Sequence, residues 1–128
     1  MWPAPYAPQV IAAREAFVQE AELQLARDTD PAAPVAAVAV ALCGYWEHEG
    51  PCRWPHNNAI TAERGTTARF RTRFVADGAE EQAVRDLIVG ALADATGWTV
   101  ASSAARPVAK SEHDLARRLL STRAAHQL

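Results

Sequence analysis

Cys43, His48, Cys52 and His56 follow the pattern Cys-x4-His-x3-Cys-x3-His and make up four of the six cysteines and histidines in this 128-residue chain. Two thiolates and two imidazoles are the donor set of a tetrahedral zinc site. The Gly50-Pro51 bend lies between the first and second Cys/His pairs and would let the chain fold back to join them in one site. The spacing departs from strong zinc signatures, which contain a Cys-x2–4-Cys knuckle. On a regular strand running through His48, Cys43 and His48 would also point to opposite faces. Zinc is therefore the one cofactor the residues suggest, and a site without any cofactor is the reading they favour.

The same segment is rich in other groups that recognise ligands. Tyr45, Trp46 and Trp54 would supply aromatic walls, and Glu47, His48 and His56 polar groups, for a small organic molecule or a partner protein. A His–Glu pair could act as a general base and its orienter, and Cys52 beside an imidazole could be a nucleophile. Neither arrangement carries a catalytic signature, so whether the chain is an enzyme stays open. Cys43, Tyr45, Gly50 and Cys52 resemble the first half of a CCCH zinc finger, but the third cysteine at that family's spacing is missing. A purely structural reading makes Cys43 an inert core thiol and Trp46 and Trp54 core anchors, with Pro51 and Pro55 stiffening the loop. Loops seldom concentrate such residues without function, and a non-catalytic binding site is the leading reading. One alternative is a small cofactor-independent enzyme with His48 or His56 as acid/base. Another is RNA or phosphate binding through Arg69, Arg71 and Arg73, with nucleic acid disfavoured because the chain is acidic overall.

Composition narrows the class. Hydrophobic residues make up 49% of the chain and charged residues 22%, values that exclude wholesale disorder. A formal net charge of −2 gives no global attraction to nucleic acid or anionic lipid. Val35–Leu42 is an apolar run far too short to span a membrane. The start, Met1-Trp2-Pro3-Ala4-Pro5-Tyr6, lacks the basic-then-apolar pattern of a signal peptide. These features predict one cytoplasmic, non-membrane domain over 1–128, with its cysteines reduced.

The elements that must position the segment follow from periodicity. Pro3, Pro5 and Pro8 predict an extended arm over 1–7 that carries Trp2 and Tyr6. Val10, Arg14, Phe17, Val18, Ala21 and Leu25 recur at helical spacing and predict a helix over about 8–27, stopped by Asp28-Thr29-Asp30-Pro31. The alternation of Val with Ala over Val35–Leu42 predicts a strand that could extend towards His48. Residues 43–60 are read as a functional loop or strand extension, with room for a fourth strand. Ala68, Phe70, Thr72 and Phe74 alternate with Arg69, Arg71 and Arg73, which predicts a strand over 67–76 with an apolar and a cationic face. Val84, Leu87, Ile88, Ala91 and Leu92 predict a helix over 79–95 closed by Gly97; Trp98–Ser103 reads as a strand. Ser111 and Asp114 predict the cap of a last helix with Leu115 and Leu119 inward.

The predicted order is helix, strand, strand, helix, strand, helix. It specifies an α+β fold, a small open sheet of three or four strands with helices on one face, resembling ferredoxin-like domains in general architecture. The strands at 35–48 and 67–76 should pair antiparallel, and 67–103 should form a parallel crossover. Val38, Val40, Leu42, Phe70, Phe74, Trp98 and Val100 form the expected sheet core, covered by Phe17, Val84, Leu87 and Ile88. So short a sheet leaves an edge or face uncovered, which predicts a two-fold homodimer.

Overall fold

The structure, a computed structural model, describes residues 14–43, 53–94 and 96–122. The expected arm over 1–7 and the first residues of the expected first helix lie outside the described residues. Arg14–Leu25 is a strand, β1, rather than a helix. Its apolar residues satisfy the strand period as well as the helical one. Phe17, Ala21 and Leu23 stand opposite Phe74, Phe70 and Ala68 of the neighbouring strand, while Glu20 and Glu22 on the other face stand opposite Arg71 and Arg69. Cross-strand pairing of both faces decides in favour of the strand.

Ala32–Cys43 is a helix, α1, where a strand was expected. Alanine has the best helix propensity, and the Val/Ala alternation imitates a strand period without excluding the helix. Pro34, Val38 and Leu42, four residues apart, form the buried stripe. Asp30 caps the start, its carboxylate accepting from the Ala32 N–H at 2.9 Å. Val40, on the exposed side, is 40% accessible and leaves the predicted core.

His56–Ala62 is β2, the fourth strand for which the sequence left room. Thr67–Asp77 is β3, as its alternation predicts. A single 3-10 turn leads into α2, Glu81–Ala93, followed by β4, Trp98–Arg106. A second 3-10 turn at Lys110–Glu112 opens α3, His113–Leu120. The sheet order is β2-β3-β1-β4 and every neighbouring pair is antiparallel. β3 and β4 are both antiparallel to β1 and so run parallel to each other; the crossover expected over 67–103 joins them through α2, with β1 lying between them.

One face of this open α+β sheet carries the core. Phe70 and Phe74 are fully buried beneath α1 and α2 with Leu23, Val38, Val84, Ile88 and Leu92. Trp98 is buried and donates its indole N–H to the Leu92 carbonyl at 2.9 Å. Val100 and Leu87 are exposed, contrary to expectation. Leu87 lies off the stripe of Val84, Ile88 and Leu92, and β4 is an outer strand, with no further strand beyond it among the described residues. The opposite face carries the arginines and is crossed by α3, so the helices do not all sit on one side. Among the described residues no helix is long and apolar enough to cross a membrane.

Candidate functional site

α1 ends at Cys43 and β2 begins at His56, and the fold brings these two residues together, with the Cys43 sulfur 4.0 Å from His56 Nδ1. The end of α1 and the start of β2 are thus side by side in the fold. His56 Nδ1 also lies 3.0 Å from the Trp54 carbonyl, which can only accept; this nitrogen is therefore the protonated one. Cys43 is disulfide-bonded, which corrects the expectation of a reduced thiol. A disulfide sulfur is not a thiolate, so Cys43 in this state is not a zinc ligand.

The return of the chain into β2 is firmly fixed. Trp54 is half-buried against the core, and its indole N–H donates to Glu80 at 3.2 Å. Arg53 reaches the same carboxylate at 2.5 Å and stacks 4.7 Å from the Trp54 ring centroid. Pro55 is buried, and its carbonyl accepts from the Val75 N–H of β3 at 2.9 Å. Trp54 is thus an anchor of the fold as well as a candidate ligand wall. Tyr45, Trp46, Glu47, His48 and Cys52 lie outside the described residues. Among the described residues no three His, Cys, Asp or Glu side chains cluster so as to hold a metal ion.

The arginine stripe of β3 is matched by carboxylates. Arg69 pairs with Glu63 at 2.9 Å and reaches Glu20 at 3.4 Å. Arg71 pairs with Glu20 at 2.9 Å and with Glu112 at 2.6 Å, and Arg73 pairs with Glu112 and with Asn57. Glu63 is the acidic residue nearest to Arg69 in sequence, whereas Glu20 and Glu112 come from distant segments. Hydrogen bonding from Arg71 holds the Glu112 carboxyl down to about 2 against the opposing effect of burial, with help from the Ala109 N–H and Arg73. Burial pushes Glu20 up, but hydrogen bonds from Arg106 and Arg71 outweigh it and hold the carboxyl below its ordinary value. Between β1 and β4 on this face lies a cleft of about 230 Å³ lined by Glu20, Glu22, Arg69, Ser102, Ala104 and Arg106, with charges of both signs.

Sequence reasoning missed the acidic half of this ladder. The signal was present: Glu20 and Glu22 alternate with Ala21 and Leu23 just as Arg69 and Arg71 alternate with Phe70. It also missed Arg85, buried among apolar neighbours, whose guanidinium donates to the Val18 carbonyl at 2.7 Å and to the Gln19 amide oxygen at 2.8 Å. The Phe17 and Phe74 rings lie 5.6 and 5.4 Å from it, and Glu81 pairs with it at 2.8 Å. No protein family matches this chain, and no curated protein has a matching sequence.

Proposed function

We propose that this protein is a non-catalytic binding protein in which the segment from Cys43 to His56 takes a small ligand or a protein partner. The observation that supports it most is the 4.0 Å approach of Cys43 to His56, which sets the two ends of an aromatic- and histidine-rich sequence segment side by side. Excursions with adjacent ends commonly present binding residues from a fixed base. Ligand recognition then rests on Tyr45, Trp46, Glu47 and His48, with Trp54 and His56 at the base. Zinc shared by Cys43, His48, Cys52 and His56 belongs to a reduced state in which Cys43 is a thiolate.

The competing readings draw less support. His56 spends its Nδ1 proton on the Trp54 carbonyl, an arrangement that orients the ring without supplying a reaction partner. Arg69, Arg71 and Arg73 face carboxylates already, so RNA phosphates would have to displace those anions. The βαββαβ order with a 4-1-3-2 arrangement supports a ferredoxin-like assignment over one domain, with α3 added to the open face. We also propose a two-fold homodimer, with the edge of β4, which no strand covers among the described residues, as its surface.

A thermal-shift screen of small metabolite-like ligands against the full chain, followed by Trp46→Ala and His48→Ala, tests the function. A hit whose affinity falls about tenfold or more in Trp46→Ala supports binding by this segment. Turnover of a hit that disappears in His48→Ala while affinity holds would replace the binding protein with an enzyme.

A further inference from the structure

The carboxylate of Glu112 is held as a bound anion would be. Its two oxygens accept from Arg71 Nε at 2.7 Å and Arg71 Nη2 at 2.6 Å, from Arg73 Nε, and from the Ala109 N–H at 2.8 Å. A two-point guanidinium contact of this kind is the geometry by which arginine recognises carboxylates and phosphates. Both guanidinium groups are also oriented by the sheet itself, Arg71 through Glu20 at 2.9 Å and Arg73 through Asn57 at 3.2 Å. Removing Glu112 would leave the two arginines in place.

The segment that carries Glu112 packs through α3 on β1 and β3, whose Val18 and Val75 on this face are fully buried, yet few of its own side chains are enclosed. Among residues 107–122 Glu112 alone is buried; Leu115, Leu119 and Leu120 are only half-buried. Further polar ties are Arg71 Nη2, which donates to the Pro107 carbonyl at 3.4 Å, and, at the far end, Arg14 Nη2, which donates to the Leu120 and Thr122 carbonyls at 2.6 Å each. The Arg14 tie is imperfect, because Arg14 Nη1 is buried without a hydrogen-bond partner among the described residues. We propose that Arg71 and Arg73 form an oxyanion seat on the open sheet face that Glu112 fills in cis, and that residues 107–122 are a strap which an external carboxylate or phosphate displaces. The strap keeps the seat occupied, since an attached carboxylate competes at high effective concentration. An anion that bridges to the flanking Arg69 and Arg106, both half exposed, gains contacts that Glu112 does not make.

The test uses the full chain and Glu112→Gln, which preserves shape and removes the charge. Inorganic phosphate and acetate are titrated separately by calorimetry at constant ionic strength in chloride, with hydrogen exchange followed over 107–122. Glu112→Gln should bind one of the anions at least about tenfold more tightly than the native protein. Exchange in the strap should rise while β3 stays protected, and Arg71→Gln added to Glu112→Gln should abolish the binding. Tighter acetate binding identifies a carboxylate-bearing ligand, and tighter phosphate binding a phosphorylated one. Anion binding no stronger than native, or strap exchange that does not change, overturns the proposal and leaves Glu112 as a fixed structural ion pair. Should Glu112→Gln not fold, Glu112→Asp, which keeps the charge but shortens its reach, is read by the same criteria.

Discussion

Ion pairs on this molecule differ in worth according to burial. Arg53–Glu80 and Arg117–Asp114 are exposed on at least one side, and pairs of that kind contribute little. Glu112 is only 5% accessible and accepts from two arginines and a backbone amide. Its carboxyl, ordinarily near 4.5, is held at about 2 by hydrogen bonding from Arg71, so the folded state binds the proton more weakly than the unfolded state. The resulting stabilisation is complete above the ordinary value and is lost as pH falls from there through about 2. It amounts to about 3 kcal/mol at neutral pH. Urea unfolding of the native protein and of Glu112→Gln should therefore differ by that order at neutral pH, and the gap should close on acidification. A gap that stays constant down to the acid limit would assign the acid sensitivity to other groups. Arg85 follows the opposite logic: its buried charge is satisfied by Glu81, Gln19 and the Val18 carbonyl, so losing any of these strands a charge in the core.

At the ends of elements, Gly97 shows what one backbone position does for the turn between α2 and β4. Its φ is +105°, and a Cβ there would lie 2.9 Å from the Thr29 hydroxyl oxygen. The Gly97 carbonyl accepts from the Ala26 N–H and from that same hydroxyl, each at 2.7 Å, so the turn ties β4 to the end of β1. Gly97→Ala should cost about 1–3 kcal/mol through strain and displacement of Thr29. Gly65, at φ +58° with open space around it, provides the control. Gly65→Ala should cost less, and equal losses in melting experiments would remove the Thr29 clash from the explanation. Elements whose two faces differ sharply were readable in advance. β3 sets phenylalanines against arginines, and α2 has its Val84, Ile88 and Leu92 stripe. α1 was not readable as a helix because Ala and Val fill every position from 35 to 41, leaving no polar face to reveal the period. β1 was misread because Phe17, Ala21 and Leu25 fit both periods, and only the facing arginines of β3 select the strand. Of the candidate site, Cys43 and His56 were grouped by residue type and lie 4.0 Å apart, while His48 and Cys52 fall outside the described residues. The chemistry of Cys43 and His56 was not readable, because a disulfide and a backbone-directed imidazole depend on where α1 and β2 end.

For the whole molecule, the sheet has two outer strands, β2 and β4. β4 runs nine residues with Arg106 as its single charge, and nearly all of it is exposed. Natural edge strands are usually protected by charges or proline, and the neutral stretch Trp98–Ala105 has neither. A bulge against β1, between Glu22 and Leu23, is the one feature that distorts this edge. Antiparallel pairing of β4 with its copy would bring no like charges together if the two-fold axis passes near its middle, because each Arg106 then stands at an outer end. Val100, 36% exposed on the helix-covered side, would add apolar contact beside the strand. The proposed dimer therefore predicts a light-scattering mass near twice 13.8 kDa at micromolar concentration. Val100→Lys, which places a charge on the edge at a position 36% exposed, should return the mass to near 13.8 kDa, and the long lysine side chain can carry its charge out to solvent from there. A native protein that already runs at the single-chain mass would end the dimer proposal. A dimer that survives Val100→Lys would move the interface away from β4.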